Sequence, residues 1–164
     1  MPDDASVPVP TVRLEPMTPD EYAAYRASAE ESYAQGIHRS GSLPLEEARA
    51  KSAEDYARQL PDGLATEGHR LWTAYDGDTP VGMLWLGLKD TSEGVSAFGF
   101  DFEVREDLRR HGYGRAIMAA AEQVCRELGV VQVGLNVFGD NLGAQSLYEQ
   151  MGFQVTSIQM SKRL

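Results

Sequence analysis

The chain has 164 residues, a formal net charge of −10 and 42% hydrophobic residues, enough for one domain with a real core. The acidic balance argues against general nucleic-acid binding, which needs a basic face, and no apolar run approaches the length of a membrane span. The one cysteine, Cys125, cannot close an internal disulfide; with no apolar leader at the N-terminus, this predicts a cytoplasmic protein.

Residues 1–10 are Pro-rich and polar and read as a disordered lead-in, leaving 11–164 as a single domain. Thr11 to Leu14 reads as a first strand. Thr18 then reads as a helix N-cap, with Pro19 at the first helical position and Glu21 three residues on. That helix is expected to reach about Gln35. A second helix is expected from about Pro44 to Leu60, stopped by Pro61-Asp62-Gly63. Arg70–Tyr75 and Pro80–Leu88 form a predicted hairpin around Asp76-Gly77-Asp78. The next strand, Ala97 to Val104, carries Phe98, Phe100, Phe102 and Val104 at period two. Gly112 to Leu128 is an amphipathic helix with Tyr113, Ile117, Ala120, Ala121, Val124 and Leu128 on one face. Val131 to Val137 is a short, mostly apolar strand of the kind buried on both faces. Asp140 or Asn141 caps a helix ending at Gly152, and Gln154 to Met160 reads as a last strand.

The order β-α-α-β-β-β-α-β-α-β predicts an α/β (α+β) fold. Its sheet is mixed, with helices on both faces.

Arg109-Arg110-His111-Gly112-Tyr113-Gly114 joins the Ala97–Val104 strand to the following helix. The first N–H groups of a helix have no intrahelical partner, and the helix dipole adds positive potential there. Gly112 and Gly114 let an anion approach the backbone, and Arg109, Arg110 and Arg115 add donors suited to phosphate. A surface turn that merely carries arginines has the same composition. No Gly-Lys-Ser/Thr follows, so this is not a P-loop. Ile117 breaks the dinucleotide pattern G-x-G-x-x-G. The three histidines are scattered, and no Cys/His metal spacing occurs.

Val104 to Ala116 resembles the acetyl-coenzyme A signature of the GNAT superfamily of N-acetyltransferases. Its core, Gln/Arg-x-x-Gly-x-Gly/Ala, is matched by Arg109, Gly112 and Gly114. Leu135 to Phe153 is similar to the family's second motif, Asn-x-x-Ala-x-x-Leu-Tyr-x-x-x-Gly-Phe, matched by Asn141, Ala144, Leu147, Tyr148, Gly152 and Phe153. Arg110 stands where many members have Gly, and Asp107 where a larger residue is common.

The resemblance implies a mostly antiparallel sheet of six to seven strands. It implies an acetyl-coenzyme A-dependent N-acetyltransferase that moves the acetyl group to a primary amine by direct attack in a ternary complex. A non-catalytic acyl-coenzyme A sensor is the competing reading.

By resemblance, the N–H groups of Arg110, His111, Gly112, Tyr113 and Gly114 hold the pyrophosphate, with charge from Arg109. Arg115 faces either the 3′-phosphate or solvent. Phe102, Val104, Asn141 and Ala144 are placed along the pantetheine arm, with Asn141 also fit to cap its helix. Tyr148 is either a core tyrosine or the acid that protonates the coenzyme A thiolate.

Asp101 and Glu103 share one face of an interior strand, where carboxylates are costly unless paired or wet. One of them would serve as general base for the incoming ammonium, Glu103 ahead of Asp101. A solvated face or an ion pair is the bland alternative. Trp72, Trp85, Tyr22, Tyr25 and Tyr33 read mostly as core or helix-packing residues, with some of them expected to line the acceptor pocket. The acceptor is a small-molecule or peptide amine, and the family's habits make a homodimer one expected assembly. No metal, nucleic acid or membrane partner is expected.

Overall fold

A computed structural model describes residues 8–164. In chain order the elements are β1 (Arg13–Pro16), α1 (Pro19–Arg39), α2 (Leu45–Gln59), β2 (His69–Asp76), β3 (Thr79–Thr91), β4 (Gly94–Val104), α3 (Tyr113–Glu127), β5 (Val130–Leu135) and α4 (Leu142–Gln150). Short 3₁₀ turns at Gly63–Ala65 and Glu106–Leu108 complete the set. The strands lie in sequence order in one sheet; β1 to β4 are antiparallel, and β5 joins β4 in parallel. Strand β5 is not buried on both faces as its apolar run suggests, because it lies at the end of the sheet, where Val131 is exposed. This is the expected mixed, mostly antiparallel α/β architecture.

The described sheet has five strands, not six or seven. The strand expected over Gln154–Met160 is not formed; the chain there is extended and joins no ladder. Its apolar pattern is strand-like, but a strand exists only where a neighbour accepts its hydrogen bonds. The lead-in expected over residues 1–10 lies outside the described residues for 1–7; residues 8–10 form neither helix nor strand.

Helix α1 starts as its sequence dictates. The Glu21 N–H donates to Thr18 Oγ1 at 3.2 Å, and the Thr18 N–H donates to Glu21 Oε2 at 2.8 Å. The helix runs past Gln35 to Arg39 because Gly36 does not end it. A Cβ on Gly36 would lie 2.5 Å from the Phe138 ring, so glycine admits that ring against the helix.

Two cores sandwich the sheet. On one face α3 packs Ile117, Ala121 and Cys125 onto Trp72, Ala74, Val81, Leu84, Leu86 and Ala97. On the other, α1 and α2 bring Tyr25, Ala29 and Tyr56 onto Leu71, Met83 and Trp85. Each fully buried large side chain in such a core stabilises the fold by about 1.5–3 kcal/mol before entropy is charged.

One irregularity positions the site. Trp85 pairs with Asp101 and Leu86 with Gly99, so Phe100 is an extra residue in β4. A one-residue slip moves side chains to the opposite face. Phe98 and Phe100 therefore lie on the α1–α2 side, where Phe100 stacks on Trp85 at 4.6 Å. Phe102 and Val104 pack on the α3 side. The four-residue apolar stripe expected along this strand is thus split between two faces. The bulge keeps Asp101 and Glu103 together on the α1–α2 side, opposite Trp85 and Met83.

Candidate active site

Strands β4 and β5 pair only from Val95–Val130 to Gly99–Leu135. Beyond Gly99 they part, and β4 continues alone on that side to Val104. The Arg105 N–H donates to the Val81 carbonyl at 2.8 Å, which fixes the alternation at this end of the strand. Phe102 and Val104 consequently turn their backbone groups away from β3, into the opening. Arg109 Nε donates to the Val104 carbonyl at 3.3 Å, and the Phe102 N–H donates to Asp101 Oδ1 at 2.9 Å.

The start of α3 lies at this opening. Its N-cap is Gly112, at φ +84°, and no side chain caps the helix. The first intrahelical bond is donated by the Ala116 N–H to the Gly112 carbonyl, so the N–H groups of Tyr113, Gly114 and Arg115 have no partner within the helix. Arg110 is also left-handed, at φ +66°, while His111 between them is not. Alternating backbone hands turn successive N–H groups toward one point, an anion nest.

A side chain at Gly112 would be strained by its φ and would place its Cβ 3.1 Å from Pro10 Cδ. A Cβ on Gly114 would lie 3.1 Å from Leu147 Cδ2 and under 4 Å from Phe102 and Val104, so α3, α4 and the free end of β4 converge there.

The flanking side chains divide by role. Arg109 and Arg110 are exposed at the turn. His111 Nδ1 lies 2.7 Å from the Arg109 carbonyl, which pins the loop. Tyr113 donates its hydroxyl to Asp76 Oδ2 at 2.7 Å, so only its backbone faces the nest. Arg115 is held by Gln150 Oε1 and lies 3.8 Å from Met151 Sδ, on the α4 side.

Helix α4 forms the other wall. Asn141 Oδ1 accepts the Ala144 N–H at 3.2 Å, so this side chain serves as the helix cap. Tyr148 lies half-buried between Phe102 and Phe153, with ring centroids at 6.3 and 5.6 Å. Burial first, then the nearby Asp101 charge, pushes its phenol up to about 12, so it holds its proton at neutral pH.

The two carboxylates differ sharply. Asp101 accepts Tyr25 Oη–H at 2.6 Å and the Phe102 N–H at 2.9 Å, so both its oxygens are engaged. Tyr25 in turn lies 3.3 Å from the Tyr56 hydroxyl. Burial raises the Asp101 pKa, and the bonds from Tyr25 and Phe102 oppose that rise. Glu103 is exposed, and among the described residues its carboxylate makes no hydrogen bond or ion pair. Partial burial, then the neighbouring Asp101, raises its pKa above the usual glutamate value; Arg109 works against this.

Glu103 borders a cleft of about 290 Å³ on the α1 side, walled by Met17, Glu21, Ala24, Tyr25, Thr73 and Met83. Arg105 also reaches its rim, where Asp107 and the Pro80 carbonyl hold the guanidinium. Among the described residues no cluster of His, Cys, Asp or Glu has the makings of a metal site.

Tyr25, an aromatic that the sequence offers for core packing or the acceptor pocket, lines the cleft beside Glu103, while its bond to Asp101 and the place of Tyr56 behind it are what sequence reasoning missed. Both sit at ordinary helix-packing positions, and nothing local in α1 or α2 signals a bond to a carboxylate 76 residues from Tyr25. Gln145 was missed too: its amide donates to the carbonyls of Phe138 and Gly139 at 3.1 Å and fixes the loop before α4.

Comparison with known proteins is consistent with this geometry. The family model described as the acetyltransferase (GNAT) family matches residues 30–153. YycN of Bacillus subtilis (strain 168), named as an N-acetyltransferase, is 35% identical over 155 residues, covering 94% of this chain and 99% of the relative. Its crystal structure superposes with a TM-score of 0.91 over the same shares. YdgE of the same organism, also named as an N-acetyltransferase, is 32% identical over 92% of this chain and 97% of its own. A mycothiol acetyltransferase of Propionibacterium freudenreichii is 32% identical over 71% of this chain but only 35% of its own length. Among the described residues no helix is long and apolar enough to cross a membrane. The chain belongs to the GNAT acetyltransferase family and is an acyltransferase of that type.

Proposed function

We propose that this acyltransferase moves the acetyl group of acetyl-coenzyme A to a primary amine by direct attack in a ternary complex. The observation that carries the reading is the uncapped start of α3 facing the gap between β4 and β5. Free backbone donors, a left-handed glycine and two exposed arginines suit a pyrophosphate there. The gap suits a pantetheine arm, with Phe102, Val104 and Ala144 as its walls. Arg115 would reach the 3′-phosphate only by leaving Gln150. Asn141 stays with its helix end.

The amine would enter through the cleft beside Glu103. Its two carboxylates, Glu21 and Glu103, and its methionine walls favour a cationic acceptor with an apolar stem. Glu103, directly or through a water, takes the ammonium proton. Asp101, with both oxygens engaged, holds Tyr25 and the bulged strand in place rather than accepting that proton.

The amine nitrogen then bonds to the thioester carbon. The Val104 N–H, turned into the gap, stabilises the oxyanion. As the carbon–sulfur bond breaks, Tyr148 gives its proton to the departing sulfur, and the second proton on the attacking nitrogen leaves through solvent and restores the phenol. Holding both reactants in line supplies much of the acceleration.

The test is release of free thiol from acetyl-coenzyme A with a panel of diamines, amino sugars, amino acids and peptides. Turnover with at least one primary amine is expected. Tight donor binding with no turnover by any amine would favour a sensor and overturn the catalytic reading.

A further inference from the structure

The cleft on the α1 side carries its two carboxylates at separate places. Glu103 on β4 pairs with Met83 on β3, and Met83 pairs with Thr73 on β2, so the three side chains share one face of the sheet. Neighbouring strands lie about 4.8 Å apart, which sets Glu103 and Thr73 about 10 Å from each other with Met83 between them. Glu21, in the first turn of α1, ends its carboxylate on the β2 side: Oε1 accepts the Tyr75 hydroxyl, and Oε2 accepts the Thr18 N–H at 2.8 Å. One acid therefore stands toward each end of the cleft, and Met17 and Met83 line it with them.

The two acids are held in different states. Burial, then Asp101, raises the pKa of Glu103, which suits a group that takes and releases a proton. The Tyr75 hydroxyl, then Thr18, lowers that of Glu21, which stays ionised at neutral pH. A carboxylate has about four acceptor sites, so Glu21, already fixed by Thr18 and Tyr75, still has room for a donor from a ligand. The one cation lining the cleft is committed elsewhere. Arg105 gives its guanidinium to both Asp107 oxygens, at 2.6 and 2.8 Å, and to the Pro80 carbonyl at 3.0 Å. A free amino acid would bring a further carboxylate here with no partner. The volume of about 290 Å³ is at the small end for ligand sites, too small to enclose a multi-ring amino sugar.

Resting on the catalytic reading of this cleft, we propose that the acceptor is a linear α,ω-diamine and that Glu21 is a specificity residue. Glu103 meets the ammonium that reacts, and Glu21 holds the one that does not. The methylene chain between them lies along the methionines, whose thioethers adapt to an apolar stem. A monoamine of the same length fills the middle of the cleft and leaves Glu21 without its cation. The acetylated end of a product is neutral, so the product no longer satisfies both acids, and one acetylation per diamine is expected.

The experiment measures kcat and KM for putrescine and cadaverine against n-butylamine and n-pentylamine, on the wild type, Glu21→Gln and Thr18→Ala. Glutamine also serves in a capping box, so Glu21→Gln removes the charge and keeps the helix start. The wild type is expected to favour each diamine over its monoamine by about 10- to 100-fold in kcat/KM, the worth of one hydrogen bond to a charged group. In Glu21→Gln that preference should vanish, through KM of the diamine rather than kcat. Thr18→Ala weakens the cap but keeps the carboxylate, and should keep the preference. A purely structural role for Glu21 would change diamine and monoamine alike, and a preference that survives Glu21→Gln would overturn the proposal. Monoamines used as well as diamines by the wild type would overturn it while leaving the catalytic reading intact. No turnover with any amine would overturn both.

Discussion

Helices α1 and α3 begin in opposite ways. At α1, Thr18 and Glu21 close the capping box, and the Tyr75 hydroxyl followed by Thr18 holds the Glu21 carboxyl below its usual range. At α3 no side chain caps the end, the N-cap is a left-handed glycine, and Arg110 nearby takes a left-handed backbone that non-glycine residues avoid. Capping satisfies backbone donors within the chain and stabilises the helix. Leaving donors open forgoes that stability and keeps them for a ligand. The open end is the one that faces the gap between β4 and β5 and carries Arg109 and Arg110. One helix start is closed by its own side chains; the other is left open at the proposed donor site.

The largest effect should come from filling the open end. Gly112→Val places a β-branched residue at φ +84° and its Cβ against Pro10. Calorimetric titration with acetyl-coenzyme A should show no measurable binding, while circular dichroism retains the helical signal. Retained affinity would separate the nest from the donor site.

Next is Tyr148→Phe, which removes the proton proposed for the thiolate and keeps the ring between Phe102 and Phe153. Steady-state kinetics should show kcat lowered about 10³-fold, within the range of general acid catalysis, with donor affinity unchanged. An unchanged kcat would take Tyr148 out of the chemistry.

Glu103→Gln should cost about 10²-fold in kcat/KM. The wild-type pH profile should also change form. Glu103 accepts a proton only when ionised, and burial with Asp101 raises its pKa. Activity should therefore be absent at low pH and gained as pH rises through a value above the ordinary glutamate range. Glu103→Gln should abolish that acid limb; a limb that persists would move the base elsewhere. No alkaline loss from Tyr148 is expected until near its raised value of about 12.

The smallest effect belongs to the capped end. Thr18→Ala should lower stability by about 1 kcal/mol in urea titrations and leave donor affinity untouched. A loss of donor affinity would mean that the two helix starts are not as separate as their geometry indicates.

What was legible in the sequence was local. The Thr18–Glu21 box, the hairpin at Asp76–Asp78 and the Arg109–Gly112–Gly114 turn each depend on residues within a few positions of one another. The bulge at Phe100 was not legible, because an inserted residue alters register without altering composition; period two along Phe98, Phe100 and Phe102 reads as one face and is two. The Tyr25–Asp101 bond joins residues that only the folded sheet brings together. The sequence leaves Arg115 between the 3′-phosphate and solvent, and its bond to Gln150 at the far end of α4 depends on a packing of α3 against α4 that no local pattern encodes. The last strand was legible as a pattern, but the segment pairs with no strand of the described sheet, and an apolar pattern alone does not say where its hydrogen bonds go.

The most direct measurement is an amide proton–nitrogen spectrum of the wild type titrated with acetyl-coenzyme A. The N–H signals of Gly112, Tyr113 and Gly114 should move strongly and saturate together, while those of Asp20 and Glu21 at the capped end stay still. Saturable binding that leaves the Gly112–Gly114 signals unmoved would contradict the account, because the free donors of α3 would then have no part in holding the donor.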